Sequence, residues 1–144
     1  MRPQQDPEFP QTWVNSFAVA LYQTIGTTGS RTREWKEQAD ELVAISARAL
    51  AELIAAHNHI FAGTRVRSLK LSRSNLDTFH QNLERLVAMD RITSDERNNI
   101  LDKLHPIELY IQGLTEIYEE ISMNPLRAGL FAVRKFIRKQ MCWW

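Results

Sequence analysis

The chain is short of the residues that mark specialised architectures. Cys142 is the single cysteine among 144 residues, which excludes an intramolecular disulfide and any multi-cysteine zinc site. Five glycines and five prolines leave little room for long loops. Three of those prolines fall within MRPQQDPEFPQ, residues 1–11, which are expected to form a disordered lead-in. Long apolar runs are also missing. Phe17-Ala-Val-Ala-Leu21 is typical of the longest, far below the roughly 18 residues that mark a membrane span. The first residues carry no apolar leader core. No membrane association and a cytoplasmic location are the expectations. With 44% hydrophobic and 24% charged residues, the composition is that of a globular domain. A chain this long buries roughly 70% of its unfolded surface without metals or cross-links.

Net charge is only +1, yet its distribution is uneven. Residues 1–61 carry 5 basic and 7 acidic side chains, and residues 76–121 carry 4 and 10. Two stretches contain no acid at all: residues 62–75 with 4 basic side chains and residues 122–144 with 5. Half of the basic residues therefore sit in about a quarter of the chain, a pattern that points to an anionic partner.

Apolar periodicity points to an all-α fold. Thr12 can cap a first helix with Trp13, Phe17, Leu21 and Ile25 on one face, ended by Gly26. A second helix is expected from Thr32 to Phe61, with Gly63 as its stop. Its seam, Ala39, Leu42, Ser46, Ala49, Leu53, Ala56 and Ile60, keeps a heptad rhythm and is rich in small residues. The third helix, from Thr64 or Arg65 to Met89, has Leu69, Ser72, Leu76, Phe79, Leu83 and Leu86 in phase. Asp90-Arg-Ile92 then turns the chain, and Thr93-Ser-Asp-Glu96 fits a capping box. The fourth helix carries Ile100, Leu104, Ile107, Ile111, Leu114, Tyr118 and Ile121, with Pro106 expected to kink it. A short fifth helix follows Asn124-Pro125, with Leu126, Leu130, Val133 and Ile137 expected to face inward. Short turns between long amphipathic helices predict an antiparallel four-helix bundle over 12–123, with a basic C-terminal helix and aromatic tail over 124–144.

Candidate chemistry is sparse. His57 and His59 lie two apart, on opposite sides of a helix, and cannot chelate together. Asp77, His80 and Glu84 share a helical face, but no Glu-x-x-His pair accompanies them, so a hydrogen-bonded surface cluster is expected and no metal or cofactor. Glu116, Glu119 and Glu120 suit a solvated face. Gly26-Thr-Thr-Gly-Ser30 lacks the phosphate-loop lysine, and no nucleophile elbow is present. A non-enzymatic protein is expected. The candidate nucleic-acid contacts are Arg65, Arg67, Lys70 and Arg73, all placed off the apolar seam, together with Arg134, Lys135, Arg138 and Lys139. Trp143 and Trp144 are candidates for docking a partner, since adjacent aromatics at a chain end are poorly served by solvent.

The pattern from Ser68-Leu-Lys-Leu-Ser-Arg-Ser-Asn-Leu-Asp77 through Leu83-Glu-Arg-Leu-Val-Ala-Met-Asp-Arg-Ile-Thr-Ser-Asp-Glu96, with Ile100 to Gly113-Leu114, adds a further expectation. Together with Phe17-Ala-Val-Ala-Leu-Tyr-Gln23 and the small-residue second helix, it resembles a bacterial four-helix-bundle family. That family includes proteins encoded in ribosomal RNA intervening sequences and the accessory variability protein, Avd, of diversity-generating retroelements. The resemblance implies a homo-oligomer, a pentamer, that binds structured RNA and assists a reverse transcriptase. The alternative is a protein-only adaptor whose basic tail binds an acidic partner.

Overall fold

A computed structural model describes residues 9–26 and 32–141. Among them the chain is all-helical and contains no strand. The helices are α1 (Gln11–Gly26), α2 (Arg33–Asn58), α3 (Ala62–Ala88), α4 (Ser94–Met123) and α5 (Pro125–Met141). The bulk of the expected lead-in, residues 1–8, and the tail of Cys142, Trp143 and Trp144 lie outside the described residues.

The apolar seams become one core. On α2, Ala39, Leu42, Ser46, Ala49, Leu53 and Ala56 are buried, and Trp35 and Ile45 join them. Leu69, Ser72, Leu76, Phe79, Leu83 and Leu86 are buried on α3, as are Ile100, Leu104, Ile107, Ile111, Leu114 and Tyr118 on α4. Small residues set the spacing of α2 and α3. Ser72 Oγ donates to the carbonyl of Ala49 across the helix pair at 2.6 Å, a contact open only to helices whose backbones approach closely. The small-residue seam of α2 is thus consumed inside the chain.

Contacts fix the directions of the helices. Gln38 meets Met89 at one end of the α2–α3 pair and His59 meets Ser68 at the other, so the two run oppositely. Lys70–Glu119, His80–Glu108 and Glu84–Arg97 give α3 and α4 the same relation. Phe17 reaches Phe79 edge-on at 5.5 Å, and Trp13 meets Tyr110. Trp13 is itself largely exposed, so the buried face of α1 is Phe17, Ala20, Leu21 and Thr24.

Three helix ends differ from expectation. Helix α1 begins at Gln11, and Val14 N donates to Pro10 O, placing Thr12 inside the first turn instead of at the cap. Phe9, expected in the lead-in, packs edge-on against His57. Helix α2 stops at Asn58, three residues early, because His59 turns extended (φ −71°, ψ 143°). Gly63 consequently lies in the first turn of α3 and stops nothing. Helix α4, by contrast, runs through Pro106 without a break, as its in-phase periodicity on both sides requires.

The α3–α4 turn is closed by local chemistry. Asp90 N donates to Val87 O and Arg91 N to Leu86 O, with Asp90 at φ 56°; this is a Schellman ending with aspartate where glycine is usual. Thr93 Oγ1 then accepts from Glu96 N while Glu96 Oε1 accepts from Thr93 N, completing the capping box. Two substitutions should therefore act in opposite directions in chemical denaturation. Asp90→Gly relieves the left-handed strain and removes a negative charge from a helix C-terminus, raising stability by about 0.5–1 kcal/mol. Thr93→Ala should lower it by about 1 kcal/mol.

Candidate functional site

The end of α2 leaves carbonyls without helical partners, and one side chain answers them. Arg65 enters from the first turn of α3. Its Nε donates to His59 O at 2.7 Å and its Nη2 to His57 O at 3.0 Å. Nη1 donates to the Tyr118 hydroxyl at 2.9 Å, reaching α4. The guanidinium carbon also lies 5.1 Å from the Tyr118 ring centroid and 5.0 Å from that of Phe131 on α5. Carbonyl dipoles at a helix C-terminus and two aromatic faces stabilise a cation that water barely reaches. Arg65 is 1% exposed.

That burial corrects the expectation for Arg65, which cannot lie on a phosphate-facing surface. The signal was present in the spacing. Stepping back four from Leu69 lands on residue 65, so Arg65 occupies the seam itself.

The other basic residues divide. Arg67, Lys70 and Arg73 are exposed on α3, and Lys70 pairs with Glu119 at 3.1 Å. On α5, Lys135 turns toward the core and lies 5.7 Å from the Phe131 ring centroid. Burial first, and Arg138 second, lower its pKa. Arg134, Arg138 and Lys139 are exposed. Of the eight candidates the structure thus buries Arg65 and half-buries Lys135.

The imidazoles of His57 and His59 go separate ways, though His59 lies past the end of α2 with an extended backbone, so the turn of the chain and not helical spacing parts them. His59 Nε2 lies 3.0 Å from Ser68 Oγ, and His57 Nε2 lies 3.0 Å from the Tyr110 hydroxyl. Burial pushes the Tyr110 phenol up to about 12, so it remains a donor. The expected cluster of Asp77, His80 and Glu84 does not form: His80 pairs with Glu108 and Glu84 with Arg97, both on α4. Among the described residues no group of three or more His, Cys, Asp or Glu could hold a metal.

The largest departure is α5. It meets the other helices through Phe131, with Ala128, Ala132 and Lys135 half-buried on the same side. Leu126, Leu130, Val133 and Ile137, expected inward, are instead 74%, 56%, 55% and 49% exposed. Stepping by four, three and four, they form a stripe on the side opposite Ala128 and Lys135. The sequence showed an amphipathic helix; it did not show that a second, shorter apolar face would do the anchoring. Phe131 was the available sign, since it lies off the aliphatic stripe.

No family model, curated protein or solved structure matches the chain.

Two outcomes follow from the Arg65 contacts. Arg65→Met strips donors from two carbonyls and a phenol, and should cost about 3 kcal/mol in denaturation. It should also speed hydrogen exchange in α5, which loses the cation beneath Phe131. His57 adds a pH dependence. Burial, and then Arg65, hold its pKa below 6.5. Above that value the imidazole is neutral in both states and contributes nothing. Below it the unfolded chain takes the proton and the folded chain resists, so stability falls until the folded pKa is passed. Melting temperature should decline from pH 7 toward 5, and His57→Asn should flatten that decline.

Proposed function

We propose that this chain is a helical adaptor that acts by binding, built as an antiparallel four-helix bundle from which α5 presents a docking face to an acidic protein partner. The exposed stripe of Leu126, Leu130, Val133 and Ile137 carries this proposal. Aliphatic side chains gain nothing from phosphate, whereas a protein helix can cover them. Arginines beside the stripe and the absence of acid throughout residues 122–144 supply the charge preference.

A second reading keeps the resemblance: an RNA-binding, pentameric accessory of a reverse transcriptase. Arg67 and Arg73, exposed on the acid-free start of α3, favour it. Arg65 drops out of that surface by burial, whereas Lys70, paired with Glu119 at the surface, exchanges readily for another anion. Among the described residues no helix is long and apolar enough to cross a membrane.

A photoreactive benzoyl-phenylalanine placed at Val133 in cells separates the two readings, with the same group at exposed Gln81 as control. The adaptor reading expects a crosslink from Val133 alone, to a different protein with acidic composition. Crosslinks to RNA, or salt-dependent RNA binding that weakens by about 0.7 in log–log slope per charge removed at Arg67 and Arg73, would establish the second reading instead.

A further inference from the structure

Resting on the adaptor reading, the geometry of α5 specifies its partner more closely: we infer that the stripe takes one acidic amphipathic helix in coiled-coil register. Leu126, Leu130, Val133 and Ile137 step by four, three and four, the spacing of a two-helix seam. Arg127 and Arg134, seven residues apart, occupy equivalent positions along one edge of that seam, with Arg138 beside them. The opposite edge holds Gly129 and Phe136, the latter 54% exposed. Charge thus borders the seam on one side only.

This asymmetry selects the occupant. A second copy of α5 is a poor match. Antiparallel self-pairing brings the arginine edges together, where like charges repel, and parallel pairing sets them against Gly129 and Phe136 with no counter-charge. A bilayer-lying helix spreads Lys and Arg over its polar face, whereas the side of α5 opposite the stripe holds half-buried Ala128, Ala132 and Lys135. A helix with leucine-like residues at its seam and carboxylates seven apart on one flank matches both edges. Arg127 is held by Glu120 at 3.3 Å, but both side chains are well exposed, and such a pair exchanges readily for another carboxylate. Helix α5 has 17 residues, about 26 Å of length, so the contact is short, reversible and sensitive to salt.

The test uses the full chain and three probes in fluorescence anisotropy: a three-heptad peptide with leucine seam and glutamate flanks, its lysine-flanked counterpart, and vesicles of equal phosphatidylcholine and phosphatidylglycerol. The glutamate peptide should bind and the lysine peptide should not. Leu130→Asp should weaken binding by about thirtyfold while leaving the melting temperature unchanged, because the side chain lies outside the core. Arg134→Glu should weaken it about fivefold and gain affinity for the lysine peptide. That rescue is the decisive readout, since general loss of structure cannot produce it. Vesicle binding without peptide preference overturns the proposal in favour of a membrane surface. Self-association abolished by Leu130→Asp overturns it in favour of a second copy. If no peptide binds while Val133 still crosslinks to a foreign acidic protein, the helical register is wrong and the adaptor reading survives. Failure of both removes both.

Discussion

A buried guanidinium organises one end of this molecule. Arg65 draws together the last carbonyls of α2, the hydroxyl of Tyr118 on α4 and the ring of Phe131 on α5. Each contact answers a need on the other side. Terminal carbonyls of a helix require donors, and a desolvated cation requires negative potential. Arginine is suited to this position because its planar fork offers donors in several directions at once; a lysine ammonium would leave part of the set unmet. The α2–α3 junction can therefore be short. Its polar groups are closed by a side chain instead of by a longer loop.

The same device positions α5. Set beside the Arg65 guanidinium and tilted against the Tyr118 ring, Phe131 pins the helix to α3 and α4. Lys135, one turn later, lies 5.7 Å from the centroid of the same ring. Because the anchor uses aromatic and cationic contacts, the aliphatic residues of α5 stay available on the opposite side. A helix held by its leucines would have had nothing apolar left to present. Anchoring and presentation are thus divided between two faces, and the arginines mark one border of the outward one.

Elsewhere the packing follows simpler rules. Helices α2 and α3 approach closely where Ala49 faces Ser72, and a hydroxyl-to-carbonyl bond holds them. At the other end of α3 the chain reverses through Asp90 and Thr93 with its backbone groups satisfied locally. Ion pairs between α3 and α4, such as Arg97–Glu84, lie at the surface and contribute little beyond register. The core seams carry the stability.

Local periodicity determined much of this protein. The helical class, the seam residues of α2, α3 and α4 and the capping box at Thr93 all follow from spacing along one helix, which needs no neighbour. What spacing could not decide was which face of a helix meets another helix. On α3 the seam phase continues back to Arg65, but residue type suggested solvent. Only the arrival of the α2 carbonyls, Tyr118 and Phe131 from distant parts of the chain makes burial of that charge favourable. On α5 two faces are apolar. The longer aliphatic stripe looked like the core side by amount of apolar surface, yet the tertiary structure half-buries the shorter one, where Phe131 meets the Arg65 guanidinium. Periodicity says how side chains group on a helix. Which group turns inward depends on what the rest of the fold places there.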